Sequence, residues 1–237
     1  MNLTIASITL RGLLGRRRFM LLLPLPLLLV GLAFLASSLG AKAEDWVVPV
    51  VIGLGLAVVL PVLTLIIGTG VLGSEIDDGT IVHILAKPLP RREIILAKLA
   101  VSALVSWVVC GVPLALTGII AGSRTLALGL LVGAGVGALA YSALFLLLSL
   151  LTRRPVLIGL LYIVLWEGVL GNVLSGTRAL SIQQYVLSVA DEVSGSPLLH
   201  GSVSLPVSLV MAGVFAVGGT ILAIDRLRSF SVAGETS

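Results

Sequence analysis

Cysteine, histidine and charge are all scarce in this 237-residue chain. The single cysteine, Cys110, sits in an apolar run, so no intramolecular disulfide can form and the fold is not a stapled secreted scaffold. A cysteine-based metal cluster is excluded by the same count. Charged residues make up 11% of positions, where a soluble domain carries roughly a quarter. Apolar residues reach 58% and the mean hydropathy is +1.19. That balance excludes most soluble enzyme folds and belongs to a membrane protein. The net charge of +4 and pI near 9.7 raise the question of nucleic acid. Lys and Arg total 15 and form no long stripe with interleaved aromatics, so no nucleic-acid partner is expected.

What the chain has instead is apolar runs. A bilayer core needs roughly 20 apolar helical residues, and runs at about 19 to 39, 47 to 73, 99 to 121, 126 to 151, 156 to 174 and 203 to 224 qualify within tolerance. Twelve of the 15 Lys and Arg then fall on one side: Arg11, Arg16, Arg17, Arg18, Lys87, Arg91, Arg92, Lys98, Arg153, Arg154, Arg226 and Arg228. Only Lys42, Arg124 and Arg178 fall on the other. The asymmetry predicts an all-α integral membrane protein with six transmembrane helices and both termini cytoplasmic, a multi-pass resident of the cytoplasmic (inner) membrane. The chain reads as one transmembrane domain over 1–237, with an extracytoplasmic loop at 175–202 and no soluble domain.

Arg16, Arg17, Arg18 and Phe19 precede an apolar run that ends near Ala41-Lys42-Ala43, which mimics a signal peptide with twin-arginine order. The run of 21 residues exceeds the usual h-region of roughly 7 to 15, so a retained first span is expected. Ahead of it, Leu3, Ala6, Leu10, Leu13 and Leu14 share one face of a helix, making 1–18 an amphipathic N-terminal segment lying on the membrane surface. Within the spans, Pro24, Pro26, Pro61 and Pro113 are expected to kink their helices. Gly129, Gly133 and Gly137 leave one face of the fourth span bare for close helix packing inside the protomer.

The chemistry of enzymes is missing. A serine hydrolase needs a nucleophile and a histidine base in one site, whereas His83 and His200 are expected on opposite sides of the membrane. Glu75, Asp77, Asp78 and His83 cluster, and Asp77-Asp78-Gly79 faintly resembles the start of a phosphatidyltransferase motif; the Ala-Arg pair and the second aspartate pair that motif requires do not follow. A solvated acidic turn is the simpler reading, and no metal site is expected. No G-x-x-x-x-G-K-[ST] occurs, so the chain has no P-loop of its own.

The most informative stretch is 74–98, Ser-Glu-Ile-Asp-Asp-Gly-Thr-Ile-Val-His-Ile-Leu-Ala-Lys-Pro-Leu-Pro-Arg-Arg-Glu-Ile-Ile-Leu-Ala-Lys. Gly79 interrupts it, a short helical run follows, and Pro88 and Pro90 stop that run before Arg91 opens the approach to the third span. In Glu75, Gly79 with Thr80, Leu85, Pro88 with Arg91, and Lys98, and in the order of six spans, the chain resembles the ABC-2 type permeases. These are the membrane subunits of ATP-binding cassette exporters. Leu165-Trp166-Glu167-Gly168 and Leu180-Ser181-Ile182 extend the likeness. The resemblance implies an ABC-2, type V exporter-like permease fold that works as a homodimer with a separate P-loop ATPase. ATP and magnesium would sit on that partner, leaving no cofactor on this chain. It further implies that Glu75, Gly79, Thr80, Pro88, Arg91, Arg92 and Lys98 form a cytoplasmic coupling loop docking the ATPase. A secondary carrier or channel independent of ATP is the alternative, although carriers call for ionisable relays near the midplane.

Glu167 is the one acidic residue well inside a span, roughly 18 Å from Pro155 by helical rise. It lines a translocation path between protomers on one reading. On the other it is a structural carboxylate bonded to backbone donors of the following loop, beside the interfacial anchor Trp166.

Overall fold

The computed structural model describes Ser7, Thr9, Leu10, Gly12, Leu13, residues 22–77, 90–170, 178 and 180–233, with the backbone alone for 73–77, 170 and 228–233. Among these residues every regular element is helical. Helix α1 is Pro24–Ser38; α2 runs as Ala43–Val47, a π-helical stretch Val48–Val59, and Leu60–Asp77. Helix α3 runs as Arg91–Ser106, a π turn Trp107–Gly111, and Val112–Ile120; α4 is Arg124–Leu151. Helix α5 joins Pro155–Leu161 to a π stretch Tyr162–Leu170, α6 is Ile182–Ser194, and α7 is Leu205–Ala233.

By length and composition, Ala43–Leu72, Arg91–Ile120, Arg124–Leu151 and Leu205–Leu227 can each cross a membrane, while Pro24–Ser38 and Pro155–Val169 are apolar but shorter. The chain is therefore a multi-pass membrane protein built on four long apolar helices among the described residues.

The prolines divide into two kinds. Pro24 and Pro26 stand in the first turn of α1, where a missing N–H breaks no helical hydrogen bond; Leu22 ahead of them is helical and the chain bends at Leu23. Pro61 and Pro113 lie inside α2 and α3, and each follows by two residues the end of a π stretch, at Val59 and Gly111. A wider turn there relieves the clash between the proline ring and the preceding carbonyl.

Helix α4 is the centre of the bundle. A Cβ placed at Gly133 would stand 2.7 Å from the Val186 carbonyl oxygen of α6, and one at Gly137 would stand 2.9 Å from Leu60 of α2. Gly129 packs against the Ala190 carbonyl and Ser194. The glycine stripe is thus spent on packing inside the protomer, as expected. Farther along, Phe145 fills the space beside Gly68 of α2, Ser142 Oγ and Ser102 Oγ of α3 bond at 3.0 Å, and Ala143 lies against Gly219 of α7. The α3–α4 connection is tight. Gly118 sits against the Ala127 backbone, Gly122 takes φ +80°, and Ser123 caps α4 by accepting from Leu126 N at 3.2 Å.

Helix α6 occupies the segment 175–202 that reads as a loop from sequence. Its 13 residues lie along Gly137, Gly133 and Gly129 of α4, ending at Gly195 in the left-handed conformation (φ 54°). Residues after Gly195 double back over it: Gly201 N donates to Asp191 Oδ2 at 2.7 Å and Ser202 Oγ to Gln184 Oε1 at 2.7 Å. Polar side chains scattered through the segment disguise a helix that bonds them locally and buries its apolar face on bare glycine.

Candidate functional site

At one end of the bundle Leu72, Ile94, Ile95, Leu146, Leu147, Leu150, Ala223 and Leu227 form a buried cluster joining α2, α3, α4 and α7. Arg91, Arg92, Arg153, Arg154 and Arg226 belong to the helix ends around it. Pro90 is extended (φ −64°, ψ 127°) and α3 starts directly at Arg91 with Glu93 in its first turn. Arg92 is exposed and Arg91 half-buried.

Lys98 behaves differently from these arginines. It is 1% exposed, and its Nζ donates to the Val71 carbonyl of α2 at 2.9 Å. Its buried ammonium group bonds the Val71 carbonyl and so ties α2 to α3. Of the other residues assigned to the coupling loop, Glu75 lies on the helical backbone of α2, while its side chain and Gly79, Thr80 and Pro88 lie outside the described residues. The same is true of Asp78 and His83 from the acidic cluster.

The second site is Glu167, 2% exposed. Its Oε1 accepts from Tyr141 Oη at 3.0 Å, Tyr162 Oη at 3.1 Å and Ile182 N at 3.0 Å. Its Oε2 accepts from Ser181 Oγ and from Gln183 N at 3.4 Å. The elements explain the convergence. Tyr162 and Glu167 are five residues apart, a spacing that shares a face in the π stretch of α5 and would diverge in an α-helix. Ser181 is the N-cap of α6 and accepts from Gln184 N at 3.3 Å while donating to Glu167, so the carboxylate sits on the first free N–H groups of that helix. Tyr141 comes from α4, about 25 Å along it by helical rise from Arg124, which sets the site near mid-bundle. Trp166 Nε1 donates to the Leu180 carbonyl at 3.2 Å and closes the same corner.

Sequence reasoning named Glu167 and Ser181 but not Tyr141 or Tyr162. A signal existed: the chain has three tyrosines, and Tyr141 and Tyr162 both lie in apolar runs where a buried hydroxyl needs an acceptor. Glu167 was the acidic residue at that depth. The third, Tyr185, is buried in α6 with its ring 6.2 Å from that of Phe215.

A family model described as ABC-2 family transporter protein matches residues 14–175, more than two thirds of the chain. This chain belongs to the ABC-2 family of transporter proteins. Membership makes it a membrane transport component, not itself catalytic, of a transporter that uses a partner ATPase. The ABC-2 match spans α1 to α5 and includes Arg91, Arg92, Lys98 and Glu167, and it stops before Ser181 and α6. No curated protein matches the chain.

Proposed function

We propose that this ABC-2 protein is the permease subunit of an exporter, inserted in the cytoplasmic membrane with six spans and both termini inside, and paired with a second copy of itself. ABC-2 family membership over residues 14–175 is the observation that carries this reading. Four long apolar helices, together with the apolar sequence runs 19 to 39 and 156 to 174 that contain α1 and most of α5, support a reading of six spans.

Glu75, Gly79, Thr80, Pro88, Arg91 and Arg92 form the docking loop for a P-loop ATPase that holds ATP and magnesium. Lys98 then acts behind the loop. Because it ties Val71 of α2 to α3, a push delivered to the loop moves both helices together instead of bending one. ATP binding closes the ATPase pair, the loops approach one another, and the space between the two permease copies opens outward.

The test uses Gly79→Pro, which alters the loop hinge and leaves every charge in place. The full-length variant, expressed with its ATPase, is expected to insert normally and to lose ATP-driven transport. Full transport by this variant, or transport by this chain alone in vesicles under an ion gradient, would favour a secondary carrier.

A further inference from the structure

Three places hold arginines around the buried cluster of Leu72, Ile94, Leu150 and Leu227. At the start of α3, Arg91 and Arg92 share their turn with Glu93, and Ile94 and Ile95 behind them are buried. On α7, Arg226 follows Asp225 and precedes the buried Leu227. The corner between α4 and α5 is different. Its Arg153 and Arg154 are both exposed, and no Asp or Glu occurs in the sequence between Glu93 and Glu167. Among the described residues neither arginine has an acidic partner.

The apolar surroundings differ as well. Leu151, just before the corner, is 52% exposed, and Val156 and Leu157, just after it, are 45% and 50% exposed. Leu161, one turn farther along α5, is 49% exposed, so an open apolar strip leads away from the arginines. Helix α4 has 28 residues, about 42 Å by helical rise, against a hydrocarbon core of about 30 Å. Its end at Leu151 therefore reaches the headgroup layer. The corner is also held in shape: Thr152 N donates to the Leu148 carbonyl at 3.1 Å, and Arg154 N to Thr152 Oγ1 at 3.1 Å. That hydroxyl accepts from the backbone and keeps its own hydrogen to donate.

We propose that the α4–α5 corner binds the phosphate headgroup of an anionic phospholipid through Arg153, Arg154 and Thr152, with an acyl chain lying along Leu157 and Leu161 of α5. Planar guanidinium groups match phosphate oxygens in pairs, which gives the headgroup a fixed place and not only a charge to follow. A free phosphate answers the arginines alone, whereas a molecule that joins a negative head to an apolar tail answers both halves of the corner. An acidic protein surface fits less well. Thr152, Arg153 and Arg154 are all that separate Leu151 from Pro155, too short a link to carry the charges clear of the exposed apolar residues on either side. The site depends on residence in a membrane and not on the permease reading.

The experiment titrates the purified full-length chain in detergent with dioleoyl phosphatidylglycerol or dioleoyl phosphatidylcholine and counts retained lipid by native mass spectrometry. An arginine beside an anionic headgroup is worth a factor of about five, so the parent is expected to prefer phosphatidylglycerol by about twentyfold. Arg154→Gln should cut that preference about fivefold, and Arg153→Gln combined with Arg154→Gln should abolish it. The single variant serves if the double one fails to accumulate, because it removes only one of the charges that set topology. Arg226→Gln, at an exposed arginine of the same end, should leave the preference unchanged. An equal fall in Arg226→Gln would mean that the charged end attracts lipid as a whole, and would overturn the proposal. A preference untouched by either corner variant would overturn it too, as would inorganic phosphate that displaces phosphatidylglycerol at millimolar concentration. Loss of a co-expressed ATPase from the double variant, with the lipid preference intact, would assign the corner to protein docking instead.

Discussion

Helices α4 and α7 are nearly the same length, at 28 and 29 residues, and both qualify as membrane spans, yet they occupy opposite positions in the bundle. Over their most apolar windows α4 is 67% buried and α7 only 28%. Hydropathy does not separate them; what most of their glycines meet does, Gly219 of α7 being packed against Ala143. Along α4, Gly129, Gly133 and Gly137 each touch a neighbouring helix, whereas Gly213 and Gly218 of α7 have nothing within 4 Å of an added Cβ. Val210, Val214, Val217, Ile221 and Leu222 of α7 face outward. In a bilayer, where lipid solvates leucine as well as protein does, close approach is gained at small residues and lost at large ones. The centre of this fold is the helix whose neighbours exploit its glycines.

Substitutions ranked by what they meet test that contrast. Gly133→Leu should have the largest effect: the side chain projects into the Val186 carbonyl, so α6 is displaced and the protein should fail to accumulate in membranes, scored by immunoblot. Gly129→Ala comes next, since its single methyl meets the Ala190 backbone, which cannot swing aside. A loss of about 1–3 kcal/mol is expected, seen as a lower melting temperature of the purified chain. Ser142→Ala removes the bond to Ser102 and should cost about 0.5–1 kcal/mol by the same assay. Gly213→Ala should be the mildest, within about 0.5 kcal/mol of the parent. A loss at Gly213 equal to that at Gly129 would remove the distinction between the two helices.

Much of this was legible in the chain itself. The glycine stripe announced α4 as a packing surface, and the run of Pro90, Arg91 and Glu93 announced where α3 begins. Counting residues from Pro155 placed Glu167 well inside a helix, and the structure finds it buried. The π stretches could not be read, because no residue pattern distinguishes a five-residue from a four-residue repeat within a run of leucine and valine. That is why Tyr162 was not paired with Glu167. Helix α6 was hidden for a different reason. Gln183, Gln184, Asp191 and Glu192 interrupt its apolar residues, and its burial depends on a surface over forty residues earlier in the chain. Lys98 matched a family motif by spacing, while its interior position required knowing that Val71 lies opposite it.

The central claim is that this ABC-2 chain moves its cargo with energy from a separate ATPase. Its most direct test is transport in sealed vesicles carrying the full-length chain and the ATPase expressed with it, measured with ATP, without ATP, and with Lys98→Met in place of the parent. Transport that requires ATP, and that falls at least tenfold in Lys98→Met while the two chains remain associated, is the predicted result. Undiminished transport without ATP, driven by an ion gradient through this chain alone, would contradict it.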